Sequence, residues 1–226
     1  MSIAAGAELP EVAGPLIHRA VARSLARRHA SYADEVERIV AATYEVIERT
    51  GSLDPTMRDI LRQSGISTQA FYRHFRSKDE LLLALLDDGR RQLTSYLAHR
   101  MAKADTAEGK LRAWIEGVLA QASDETAAAK TRPFLANLDR LAEQYPQDQQ
   151  ESVDLLIDLL EGALAQLGVP PGRLRLDAEA TYHVAIGTMH QHIRDRTRPS
   201  AGEIEHVIRF SLAAVARTDK GEPNDG

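Results

Sequence analysis

Within the stretch Thr68-Gln69-Ala70-Phe71-Tyr72-Arg73-His74, five polar side chains of the kind that touch nucleic acid stand close together, with Lys78 four residues further on. The amide of Gln69 can pair with the N6/N7 edge of adenine, and Thr68 offers a hydroxyl and a methyl for thymine. Tyr72, Arg73, His74 and Lys78 carry groups that reach phosphate oxygens. Phe71 and Phe75 bracket them and are expected to face inward. Ser67 is a suitable helix N-cap, and the third position after it is Ala70 rather than an acid. A carboxylate there would repel phosphate, whereas a bare positive helix end attracts it.

Charge follows the same division. The chain of 226 residues has a formal net charge of -5, which by itself disfavours a polyanion partner. Yet four arginines and no acid lie between Ala13 and Ala33, and five basic residues face Asp59 alone between Thr56 and Lys78. A basic N-terminal surface is thus carried on an acidic body.

The positioning elements read as helices throughout. Apolar residues recur at three and four positions, and no strand alternation is evident, so the fold class is all-α. Ser or Thr followed three residues later by an acid marks helix starts at Ser31/Asp34, Thr56/Asp59, Ser77/Glu80 and Ser200/Glu203. The predicted helices are 31–50, a short one from Thr56 that stops at Gly65, a second short one over 68–74, and a long one from Ser77 to about Met101. Further helices are expected near 106–122, 133–144, 149–167, 177–194 and 201–217. Two short helices joined by a glycine turn form a helix-turn-helix, the second member of which can enter the major groove.

The stretch from Thr56 to Leu81, TMRDILRQSGISTQAFYRHFRSKDEL, resembles the DNA-binding signature of the TetR family of bacterial transcriptional regulators. The resemblance covers about Asp34 to Leu86 at motif level. It implies a three-helix DNA-binding domain, with Thr56 on the backbone, Thr68, Gln69 and Arg73 facing bases, and Tyr72, His74 and Lys78 holding phosphates. It also implies a homodimer on a palindromic operator in double-stranded DNA, built largely by the last two helices, and a ligand pocket in the body. Gln69 stands where the family commonly has Gly or Pro, and Leu61 where Ala is usual, so base preference cannot be transferred.

These expectations divide the chain into a leader and basic arm (1–30), a helix-turn-helix domain (31–80), a ligand-binding and dimerisation domain (81–217) and a polar tail (218–226). In the arm, Pro15 suits a first helical turn, and Arg19, Arg23 and Arg27 recur every four residues, as in a helix lying on the DNA backbone. A minor-groove arm and a merely solvated leader are the alternatives. For the dimer, Ala180, Val184 and Gly187 form a small-residue stripe, and Ile204, Val207, Ile208 and Val215 an apolar one. Packing within one subunit would use the same faces. The candidate pocket residues are Tyr96, Trp114, Val118, Phe134, His183 and Met189, around a small, largely apolar ligand.

Other chemistries find less support. The chain has no cysteine, which excludes disulfides and thiolate sites and suits a reducing cytoplasm. No apolar run approaches a membrane span and no signal peptide is evident. A metal-dependent helical enzyme built on His183, His190 and His192 would need further ligands, paired acids or a nucleophile, so neither metal nor other cofactor is expected. A regulator that occupies promoters without any small-molecule ligand is the nearer alternative.

Overall fold

In the computed structural model the described residues are 15–50, 54–135 and 137–216, with side chains from residue 30 onward apart from that of Pro133. They form ten helices and no strand. The first, α1 (Pro15–Thr50), runs unbroken for 36 residues. The expected start at Ser31 is therefore corrected: Ser31 lies inside the helix. A cap needs non-helical backbone, and no glycine or proline interrupts residues 16–50 to supply it.

Where the sequence does break, the caps form. Thr56 opens α2 (Met57–Ser64) by accepting the Asp59 N–H at 3.2 Å. Gly65 closes that helix in the left-handed region (φ 64°), with its N–H on the Leu61 carbonyl at 3.1 Å. Ser67 opens α3 (Thr68–His74), accepting from Ala70 N–H at 3.1 Å, and Ser77 opens α4 (Lys78–Met101), accepting from Glu80 N–H at 3.0 Å.

The body consists of α5 (Ala107–Ser123), α6 (Glu125–Leu135), α7 (Leu138–Gln144), α8 (Pro146–Gln166), α9 (Pro171–Asp195) and α10 (Ala201–Ala216). Three boundaries differ from the expected ones. α6 begins at Glu125 because Asp124 Oδ1 accepts the N–H groups of Thr126 (2.9 Å) and Ala127 (3.1 Å), so Pro133 falls in its last turn rather than starting a helix. Pro146 and Pro171 open α8 and α9, where the missing proline N–H costs nothing.

Two apolar cores result. One joins Ile39 of α1, Ile60 of α2, Phe71 of α3 and Leu81, Leu82 and Leu85 of α4 to Phe134 and Leu141 from α6 and α7. The other packs α5, α8, α9 and α10 around the far half of α4, with Leu97, Trp114, Leu160 and Ile208 fully buried. There α4 and α5 approach so closely that a Cβ on Gly117 would stand 2.5 Å from Leu97 Cδ2. α4 therefore belongs to both cores, and at about 1.5 Å per residue its 24 residues span roughly 36 Å.

The turn at Gly65 orients α3 against α2, and its positive φ costs an L-residue about 1–2 kcal/mol. A Cβ there would meet only the flexible end of Arg38 at 3.4 Å, so the penalty is backbone alone. Gly65→Ala is expected to lower unfolding stability by that amount in a urea titration; an unchanged midpoint would show that the turn relaxes to negative φ.

Candidate nucleic-acid interface

The inward side of α3 is set by Phe71, which is fully buried, followed by Phe75 at its C-terminal cap, also buried. With that edge fixed, the helical repeat turns Thr68, Gln69, Tyr72 and Arg73 outward, and all four are exposed. Tyr72 is a large ring left 54% exposed against the edge of Phe71. No acid occupies the first turn, so the positive helix end is not neutralised from within its own helix. Ala70 is half-buried beneath this surface, and Thr56 is exposed at the start of the supporting helix, its hydroxyl donating to Asp59 at 2.7 Å.

The neighbouring groups are less available than their types suggest. Glu35, on α1, accepts Arg73 Nη2 at 2.9 and 3.2 Å and lies 2.6 Å from His74 Nε2. Tyr32 completes the group, with Arg73 over its ring at 5.3 Å and His74 at its edge. The His74 bond, opposed by burial and helped by Arg73, holds the Glu35 carboxyl below its ordinary range. His74 keeps only 9% of its side chain exposed and turns to Glu35, which leaves it less available to a phosphate than its place in the sequence suggests. Lys78 is also half-buried, its ammonium paired with Asp54. Glu35 and Tyr32 escaped the sequence reading because the Glu35 bonds join residues 38 and 39 positions apart, for which no local pattern exists. For Arg19, Arg23 and Arg27 the backbone lies in α1, while their side chains, like the leader before Pro15 and the tail, lie outside the described residues.

Beside the first core, residues of α1 and of α4 to α9 line a cavity of about 790 Å³ that opens to solvent. Tyr96, Phe134 and Met189 line it, as do Tyr44, Arg90, Tyr182 and His190. Trp114 and Val118 do not: both are fully buried in the second core, where apolar neighbours surround them. His183 is exposed on the outer face of α9 and is likewise removed from the lining, which takes His190 instead. Burial, with smaller contributions from Arg194 and Arg90, pushes the His190 imidazole down to about 4. His192 bonds Thr197 at 2.7 Å, so the three histidines occupy separate settings, and among the described residues no group of three or more ligating side chains could hold a metal.

On the outer side of α9 and α10, Ala180 and Gly187 are exposed, and Val184, Ile204 and Val215 half-buried. Val207 and Ile208 are corrected: they are buried within the subunit's own core. Phe210 and Leu176, at 56% and 65% exposure, are large apolar groups on these two helices that the stripe pattern left out. Among the described residues no helix is long and apolar enough to cross a membrane.

Residues 39–85 match the model of the bacterial regulatory proteins, tetR family. The HTH-type transcriptional regulator BetI of Escherichia coli is 32% identical over 94 residues, 41% of this chain and 48% of that protein, so the chain spans about half the length of the curated relatives it matches. Among solved structures, the fatty acid degradation regulator FadR of Bacillus halodurans superposes with a TM-score of 0.62 at 19% identity, covering 79% of this chain and 94% of that one. FadR of Bacillus subtilis, solved in complex with stearoyl-CoA, gives 0.56 at 20% identity, covering 83% and 99%. These structural likenesses concern the fold.

The geometry of α3 yields two expected outcomes. Gln69→Ala should lose about 1–3 kcal/mol of binding at one base pair and leave other positions alone, as read by affinity across single-base operator variants; a uniform loss would make Gln69 a phosphate-positioning residue. Glu35→Gln should tighten binding to unrelated DNA and steepen its salt dependence by about one counterion, because Arg73 loses its internal partner. A weaker, flatter response would show that Glu35 is needed to aim Arg73.

Proposed function

We propose that this chain, whose DNA-binding head and fold are those of the tetR family of bacterial regulatory proteins, is a cytoplasmic repressor that binds a palindromic operator as a homodimer and is released by a small-molecule ligand. The observation that carries this reading is α3 itself: an exposed helix end without an acid, presenting Thr68, Gln69, Tyr72 and Arg73 on one surface. Thr68, Gln69 and Arg73 are assigned to base edges, and Tyr72, Thr56 and Lys78 to the phosphate backbone. For Lys78 to take a phosphate it must exchange Asp54, and for Arg73 to reach a base it must loosen from Glu35. Arg19, Arg23 and Arg27 extend the contact along the backbone.

Residues 31–80 form the reading head and 81–217 the body in this view, with 1–30 carrying the arginine helix and 218–226 a tail. Dimerisation through α9 and α10 is supported by exposed Ala180, Gly187 and Phe210, with half-buried Val184, Ile204 and Val215 beside them. Two reading heads related by a two-fold axis then demand an inverted repeat in the DNA. Release is supported by the cavity, whose wall includes Leu85 and Phe134 from the core that holds α3. An occupant that prefers one tilt of α4 changes the separation of the two heads, and a preference of about 1–3 kcal/mol lowers operator affinity about 5–150-fold.

The test is selection of bound sequences from random duplex DNA by the full chain, where an inverted repeat is expected; enrichment of single half-sites or of nothing would overturn the dimeric reading. A Cβ on Gly187 meets nothing within 4 Å, so Gly187→Trp fits the subunit. That variant should sediment as a monomer and lose operator binding while keeping its helicity, and a dimeric, fully binding variant would place the interface elsewhere.

A further inference from the structure

The cavity contains a cation that nothing beside it neutralises. Arg90, on α4, lines the wall and forms no ion pair among the described residues. Its hydrogen-bond partners are neutral: Nη1 donates to Gln149 Oε1 and Ser152 Oγ, each at 2.6 Å, and to the Gln149 carbonyl at 3.4 Å. All three bonds use one nitrogen of the fork, which leaves Nε and Nη2 without a partner among the described residues. The nearby carboxylate of Asp87 is engaged by Arg91 at 2.8 Å. Burial lowers the pKa of this guanidinium, yet an arginine stays charged at any ordinary pH. Holding the charge has a further cost, since Gln149, having turned its oxygen to Arg90, keeps its Nε2 buried with no partner.

The groups facing Arg90 suit an anion. Tyr182 and His190 line the same cavity from α9 and feel the Arg90 charge. Burial keeps the Tyr182 phenol protonated and the His190 imidazole neutral at pH 7, so the first can donate and neither adds a charge of its own. The acids that line the cavity, Glu37, Asp88 and Asp124, are exposed on its solvent side. Asp88 accepts from Gln92 at 2.8 Å, and Asp124 from the first N–H groups of α6. Lys130 also lines the wall, over the Tyr44 ring at 5.8 Å. The apolar part of the lining comprises Leu86, Leu93, Phe134, Leu138, Ile186 and Met189, beside neutral polar groups such as Gln92, Gln121 and Thr131.

We propose that this cavity takes an amphipathic anion, its carboxylate or similar head held by the free side of the Arg90 fork with a hydrogen bond from Tyr182, and its apolar remainder laid along Leu93, Phe134, Ile186 and Met189. The inference rests on reading the cavity as the ligand chamber of a regulator. It narrows that ligand from an apolar molecule to one with a single negative end, because a fork–carboxylate pair in a half-dry site is strong where a lone buried cation is costly. A purely structural part for Arg90, tying α4 to α8, requires no preference for any head group.

The full chain is titrated calorimetrically with dodecanoate, dodecanol and dodecylammonium, all below their aggregation limits. Dodecanoate should bind one per chain, about 10–100-fold more tightly than dodecanol, the range for hydrogen bonds to a charged group, with dodecylammonium weakest. Arg90→Gln should erase the preference for dodecanoate over dodecanol and leave dodecanol affinity unchanged, while Arg90→Lys retains part of the preference. The ranking of the three probes on the unmodified chain needs no variant, so a poorly folding Arg90→Gln does not blunt the test. Equal affinity for acid and alcohol, or dodecylammonium binding best, overturns the anion while leaving the chamber. No saturable binding of any of the three overturns both.

Discussion

Leu85 and Phe134 each serve two surroundings. They belong to the apolar core that fixes α3 against α1, α2 and α4, and they also form wall of the cavity. Protein interiors are close-packed, so a side chain cannot yield on one side without its neighbours responding on the other. The proposed release of DNA by a ligand depends on that sharing. Without it the body would be a passive support, and the cavity a void with no mechanical relation to Gln69. Because α4 continues from this junction into the second core, where Leu97 and Met101 are buried, one rigid element meets the reading head, the chamber and the α5, α8 and α9 bundle.

Electrostatics divides along the same lines. The exposed surface of α3 would carry more positive charge were Glu35 not placed behind it, and Lys78 is likewise answered by Asp54. Such pairs near solvent are worth little in stability. Their effect is on geometry and selectivity: an arginine tied to a carboxylate and stacked on Tyr32 is held in one place, and only a partner that offers phosphate or a base edge in that place displaces the acid. In the chamber the arrangement is reversed, with acids at the solvent side and an unneutralised cation within.

Much of this was legible from the order of residues, for identifiable reasons. Thr56, Ser67, Ser77 and Ser200 work as caps because the backbone is already broken before each of them, by Pro55, by the Gly65 turn, by the extended Phe75 and by Pro199. Ser31 has the same pattern on an uninterrupted run of helix formers and caps nothing. The residue pattern turned Phe71 inward and offered Trp114 and Met189 for a pocket, but such a pattern reports only that a face is covered. It does not distinguish cover by close-packed neighbours, as at Trp114, from cover by the rim of a void, as at Met189. His183 and His190 share a face by their spacing of seven, yet one is exposed and the other half-buried against the cavity, because what stands opposite a helix is decided by tertiary packing. α6 was missed since residues 125–132 offer few apolar side chains to mark a stripe.

The continuity of α1 has a consequence for how such a molecule can vary. The backbone positions of Arg19, Arg23 and Arg27 are joined to Ile39, Ala42 and Val46, which anchor the reading head, by helix with no joint between them. A helix turns about 100° per residue. One residue inserted between Ala30 and Glu35 would therefore swing the arginine row a quarter-turn or more around the axis, and a second would carry it to the far side. Insertions of about a full turn, three or four residues, return the row close to its heading but push it roughly 5 Å outward. The stretch behaves like a keyed shaft: its length is quantised by the helical repeat, and the only side chains described along it that are tied to another element, Tyr32 and Glu35 to α3, sit at its anchored end.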